Sequence, residues 1–256
     1  MFLTKSKDNG STTLCRLLPN LVTLIGLCAG LTAIRFAMDG EWVKSVSLLL
    51  FAGFLDGVDG RLARFLNSSS PFGAELDSLI DFVNFGVVPG FLIYMWVNTY
   101  AHVYGFDWAL VLFFAISMSL RLARFNVAMS EENPDPILTK YFFQGIPAPC
   151  AAAMAILPMV LYFEFGDGYF FTDPKFVLSY CFGLAVLVGS TIPTISIKKI
   201  PIRNEFIYVT LLILGLIAAG LAVKPWLTLA IIGVVYGFSI PVTAFFYLKI
   251  KYSKNS

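Results

Sequence analysis

Apolar runs long enough to cross a bilayer recur along the whole chain. They lie near residues 20–38, 42–64, 73–99, 107–129, 145–164, 174–194, 205–222 and 226–248. A hydrocarbon core about 30 Å thick needs about 20 apolar helical residues to span it. Lipid offers the backbone no hydrogen-bond partner, so each span must satisfy itself. The predicted fold is therefore all-α, a polytopic membrane helix bundle of about eight transmembrane helices. Composition agrees: 13% of the 256 residues are charged and 58% are hydrophobic, against about 25% charged in soluble domains. A net charge of +2 implies no nucleic-acid partner.

Charge asymmetry sets the expected orientation. With the N-terminus in the cytoplasm, 14 of the 18 Lys and Arg residues fall inside; only Arg35, Lys44, Lys175 and Lys224 fall outside. Lys5, Lys7 and Arg16 precede the first run, and no small-residue cleavage site follows, so that run reads as an uncleaved span. Cys15, Cys28, Cys150 and Cys181 are scattered and read as small apolar residues. The single histidine, His102, sits in a predicted loop, so histidine-based catalysis is not expected. "RLARF" occurs at 61–65 and again at 121–125, but no aspartates precede the second copy, so no duplication is read.

Against this background the stretch "GFLDGVDGRLARFLNSSSPFGAELDSLIDF", residues 53–82, stands out. Charge in or near lipid is costly and is kept for a task. Asp56 and Asp59 are three apart on one predicted helix, and Asp77 and Asp81 four apart on the next, so each pair shares a helical face. The two helices run antiparallel across the short polar loop "NSSSPF", and the four carboxylates can meet near the cytoplasmic surface. Oxygen-only ligands suit hard ions such as Mg²⁺ or Mn²⁺, and with no His or Cys nearby zinc is disfavoured. Gly57, Gly60 and Gly73 thin the helix faces for a close approach. Arg61 and Arg64 offer guanidinium groups suited to phosphate. Together these groups point to two-metal phosphoryl transfer. The competing reading is a set of helix-end salt bridges with snorkelling arginines. A second competitor is a cation transporter; it lacks the internal repeat and midplane site such proteins show.

The pattern Asp56-x2-Asp59-Gly60-x2-Ala63-Arg64-x8-Gly73-x3-Asp77-x3-Asp81 resembles the full signature of the CDP-alcohol phosphotransferases. The resemblance implies a core of six helices over roughly residues 15–195. It implies a CDP-lipid donor attacked at its β-phosphate by an alcohol, with CMP leaving. It also implies two divalent cations, one held by Asp56, Asp59 and Asp77 and the other by Asp56, Asp77 and Asp81, with Asp81 as the base. Gly60, Arg64 and Ser70 match positions that contact the CDP moiety; Ala63 and Gly73 match small positions that make room for it. "PNLVT" at 19–23 resembles a first-helix nucleotide contact, with Asn20 and Thr23 as its polar groups.

The signature leaves the acceptor open. "DSLIDFVNFGVVP" at 77–89, "LRLARFN" at 120–126 and "GIPAP" at 145–149 resemble the serine-using branch of the family. The implied reaction joins CDP-diacylglycerol and L-serine. Choline, glycerol 3-phosphate and an inositol are the alternative acceptors. Asn84, Arg121, Arg124 and Asn126 are the candidates for holding the acceptor or a lipid phosphate. The expected organisation is a catalytic core over 1–195 and two further helices with a basic tail over 196–256. The expected setting is a homodimer among lipids of a bacterial cytoplasmic membrane, with both termini and the site facing the cytoplasm.

Overall fold

The computed structural model describes residues 11–100, 105–130, 142–190, 193–195 and 207–254. His102, Lys5, Lys7, Lys140, Lys198, Lys199 and Arg203 lie outside the described residues. The chain divides into two compact units, Met1–Val88 and Pro89–Ser256.

In the first unit, α1 (Ser11–Met38) packs along α2 (Trp42–Phe65). Ala29, Ala33 and Ala37 of α1, with Ser45, Val46, Leu49 and Ala52 of α2, are buried along this unit's interior. Small side chains let two backbones come close, which is how helices gain contact where lipid removes the hydrophobic drive between them. Gly40 turns the chain between them at φ +74°, where a side chain would be strained. At its other end α2 stops at Asn67, also left-handed at φ 50°, a conformation common just past a helix end. The next helix, α3 (Pro71–Asp81), starts at once. The Ser70 hydroxyl accepts from the Gly73 N–H at 3.0 Å, and Pro71 fills the first turn, where its missing N–H costs nothing. A π-helical turn over Phe82–Val87 follows Asp81 directly.

The second unit begins with α4 (Val88–Tyr100), of which Val88 itself belongs to the first. Then come α5 (Phe106–Ser130), α6 (Ala148–Ala155), α7 (Leu157–Phe165), α8 (Pro174–Gly189), α9 (Ile207–Val223) and α10 (Pro225–Lys254). A two-stranded ladder joins β1 (Phe142–Gln144) antiparallel to β2 (Pro193–Ile195). α5 packs on α8, and α10 on α7. The α10 contacts pass through Gly233 and Gly237: a Cβ on the first would lie 2.7 Å from Leu157 Cδ1, and on the second 3.1 Å from Met154 Cε. Lys224 and Glu164 pair at 3.6 Å beside the edge-on Phe163–Trp226 contact. α9 buries no residue, as suits a helix that is apolar all round and faces lipid.

A helix stands at each of the eight apolar runs. Among the described residues four are long and apolar enough to span: Leu17–Met38, Pro71–Tyr100, Phe106–Ala128 and Pro225–Thr243. The α6–α7 pair makes a fifth if counted as one span; it bends by 44°. Pro158 explains that bend, since it has no N–H to donate and crowds the carbonyl four residues back. α8 and α9 are shorter apolar helices, and α2 carries charge at both ends. The chain is an integral membrane protein of the polytopic helical kind.

Gly233→Leu should therefore undock α10. Overpacking of this kind costs about 1–3 kcal/mol, and a fall in the thermal midpoint of the detergent-solubilised protein would register it. An unchanged midpoint would mean that α10 is not held by this contact.

Candidate active site

The site lies within the first unit. α2 carries Asp56 and Asp59 one turn apart, and the short turn through Ser70 and Pro71 brings Asp77 of α3 against them. Asp56, Asp59 and Asp77 each present a carboxylate oxygen, and these oxygens all lie within 4.8 Å of one another. Asp59 is 4% exposed. Asp59 Oδ2 and Asp77 Oδ1 are buried and have no hydrogen-bond partner. Like charges at such a separation repel by roughly 3 kcal/mol per pair at an effective dielectric of about 20. Buried carboxylate oxygens without a donor add a desolvation cost. A cation removes both penalties. The donor set is all oxygen, which fits a hard divalent ion.

A small cavity opens beside the cluster. Thr23 and Gly26 of α1, Ala52, Asp56 and Asp59 of α2, Ile80 and Asp81 of α3, and Asn84 of the π turn line it. Asp81 thus shares the cavity with two of the clustered acids, while the tight oxygen cluster itself consists of the other three. Thr23 is buried, and its hydroxyl donates to the Pro19 carbonyl at 3.0 Å.

The residues expected at the CDP moiety fall into two groups. Asn20, Ser70 and Gly73 come together: a Cβ on Gly73 would stand 2.9 Å from Asn20 Oδ1 and 3.2 Å from Ser70 Oγ. Only glycine fits there without displacing the amide. Gly60, Ala63 and Arg64 lie on the last turns of α2. Arg64 is exposed, and its Nε donates to the Gly60 carbonyl at 3.0 Å. A Cβ on Gly57 or Gly60 would meet nothing within 4 Å, so this stretch of α2 is open.

Arg121, Arg124 and Asn126 belong to α5 of the second unit. Arg121 Nε donates to the Ile146 carbonyl, and Arg124 Nη2 donates to the Gly189 carbonyl at 2.5 Å. These bonds tie α5 to the segment before α6 and to the end of α8. Arg121 also lies 6.0 Å over the Phe125 ring.

Two features of the site were not anticipated from the residues. One is the π turn, for which periodicity carries no signal. The other is the cradle that Gly26 and Gly30 of α1 form for Asn84. Its signal was present in "GLCAG" at 26–30, the small-x3-small spacing of close helix contacts.

Comparison with known proteins bears on the whole chain. The family model described as CDP-alcohol phosphatidyltransferase matches residues 16–191, and one described as CDP-alcohol phosphatidyltransferase 2 matches residues 205–241. The CDP-diacylglycerol–serine O-phosphatidyltransferase of Mycobacterium tuberculosis is 35% identical over 226 residues, covering 88% of this chain and 77% of its own. The enzyme of the same name from Helicobacter pylori is 33% identical over 245 residues, covering 93% and 96%. The one from Saccharomyces cerevisiae is 33% identical over 135 residues, covering 51% and 48%. With a match over 16–191 and a carboxylate cluster on the signature aspartates, this chain belongs to the CDP-alcohol phosphatidyltransferase family.

Proposed function

We propose that this chain transfers the phosphatidyl group of CDP-diacylglycerol to the hydroxyl of L-serine, giving phosphatidylserine and CMP. The observation that carries the reaction type is the cluster of Asp56, Asp59 and Asp77 with two buried oxygens lacking donors. The acceptor rests on the names of relatives that cover most of the chain.

Asp56, Asp59, Asp77 and Asp81 would hold two divalent cations, Mg²⁺ or Mn²⁺. Such ions, when bound, neutralise a pyrophosphate and stabilise the leaving CMP. The protein's own groups do the rest. Asp81, on the cavity wall, takes the proton of the serine hydroxyl as it attacks the β-phosphate. Asn20, Thr23 and Ser70 supply polar contacts to the CDP moiety, and the open face at Gly57, Gly60 and Ala63 admits it. Arg64 pairs with phosphate. Arg121, Arg124 and Asn126 of α5, with Asn84, are the candidates for the acceptor or a lipid phosphate, since the planar fork of arginine matches a carboxylate or a phosphate. The catalytic core is residues 1–195, and residues 196–256 add two helices. The protein works as a homodimer in a bacterial cytoplasmic membrane, with termini and site on the cytoplasmic side; the bias of 14 in 18 basic residues supports that orientation.

An acceptor screen tests the reaction: purified protein, CDP-diacylglycerol and Mg²⁺ or Mn²⁺, with CMP release read for each alcohol. L-Serine should be the productive acceptor. Release with choline, glycerol 3-phosphate or an inositol, and none with serine, would sink the reading.

Asp77→Ala should abolish Mn²⁺ binding, followed by electron paramagnetic resonance, and leave the fold intact, because one of three mutually repelling carboxylates is gone. Retention of wild-type Mn²⁺ affinity would remove Asp77 from the metal set. Asp81→Asn should lower kcat by about 10²–10⁴-fold, the usual worth of a general base, and change the KM for CDP-diacylglycerol far less. A proportional loss of donor binding would argue for a structural role instead. Arg121→Lys should raise the KM for serine more than that for CDP-diacylglycerol; an effect confined to the donor would move Arg121 to the lipid side.

A further inference from the structure

Tyr236 stands on α10, outside the catalytic core proposed above. Its hydroxyl oxygen is buried within the second unit and has no hydrogen-bond partner among the described residues. A buried polar atom in that state is rare in native proteins and asks for an explanation. α10 packs on α6 at this level: a Cβ on the adjacent Gly237 would stand 3.1 Å from Met154 Cε. One turn earlier on α6 is Cys150. Its thiol neighbours the Tyr236 hydroxyl, short of full hydrogen-bonding geometry. The Arg121 guanidinium of α5 lies close enough for its charge to act on both groups. Three helices of one unit thus bring a guanidinium, a thiol and a phenol together.

A guanidinium only donates, whereas a phenol both donates and accepts. The phenol therefore turns its oxygen lone pairs toward Arg121 and its proton away, to the thiol sulfur, a weak acceptor. Arg121 has further anchors. Its Nε donates to the Ile146 carbonyl just ahead of α6, and it lies 6.0 Å over the Phe125 ring of its own helix. A bond at Nε fixes where the guanidinium sits but lets its plane swing about that point. An oxygen dipole from a third helix sets the tilt. Packing alone does not explain the hydroxyl, since phenylalanine would fill the same space without leaving a buried oxygen short of a partner.

We propose that Tyr236 is a positioning residue: its hydroxyl oxygen, carried by the last helix, holds the Arg121 guanidinium in the orientation that serves substrate. This rests on the reading of Arg121 as a group for the acceptor or a lipid phosphate.

Four enzymes test it: the wild type, Tyr236→Phe, Arg121→Lys and the double variant, with L-serine and CDP-diacylglycerol varied in turn. Tyr236→Phe should raise the KM of one substrate by about fivefold, within the worth of one hydrogen bond. The kcat and the other KM should stay within about twofold. The substrate affected should be the one that Arg121→Lys affects: serine if the guanidinium holds a carboxylate, CDP-diacylglycerol if it holds a lipid phosphate. The double variant should show less than the product of the two single effects, since both act through one guanidinium. The thermal midpoint of Tyr236→Phe should hold or rise, because a buried hydroxyl lacking a partner is gone. Unchanged KM values in Tyr236→Phe overturn the proposal, as does an effect on the other substrate or effects that multiply in the double variant. A rise in both KM values with a lower midpoint overturns it too, as a packing defect. Where Arg121→Lys itself changes neither KM, the reading of Arg121 fails and this inference falls with it. An effect of Arg121→Lys beside an indifferent Tyr236→Phe defeats this inference alone.

Discussion

Three carboxylates with oxygens within 4.8 Å of one another do not hold themselves together. Their mutual repulsion must be overcome by the backbone that carries them, and the first unit is arranged to do that. The alanine-rich inner face of α1 lets α1 and α2 approach closely, which fixes the platform for Asp56 and Asp59. The Ser70 cap and Pro71 start α3 without slack, so Asp77 is delivered at a set height on the opposite side. Gly73 can do this only because it lacks a Cβ, with Asn20 at 2.9 Å from where one would stand. Elements that look like ordinary packing are thus what keeps the charges crowded.

The same logic explains where the glycines fall. Some are filled against: Gly30 by Asn84, Gly73 by Asn20, Gly233 by Leu157. Others are open, with nothing near a would-be Cβ: Gly57 and Gly60, on the helix that carries two of the acids. A filled glycine serves helix contact. An open one beside a charged cluster leaves backbone accessible to a ligand. In the second unit the filled glycines of α10, with the Lys224–Glu164 pair, dock the last helix onto α6 and α7. The last helix is therefore packed into that unit.

Much of the site was legible because helical spacing is arithmetic. Asp56 and Asp59, three apart, had to share a face, and a short turn limited where Asp77 could go. The cavity around Asn84 was not legible in the same way. The π turn changes the number of residues per turn without any residue type that announces it, so the direction of Asn84 did not follow from counting. The bend between α6 and α7 lay between the two cases. Pro158 was visible, but whether it would kink or end the helix depended on its neighbours.

By itself the sequence determined the solvent and the chemistry. Runs of apolar residues of bilayer length impose helices, because lipid satisfies no backbone group. Aspartates without histidine or cysteine impose oxygen ligation. The tertiary structure alone decided which oxygens converge and which are left without a partner. Those outcomes depend on helix approach distances set by side chains far apart in the chain: Asn84 against Gly30, and Asn20 against Gly73. Periodicity reports a residue's face on its own helix, but the neighbour across the gap is set only when two helices pack.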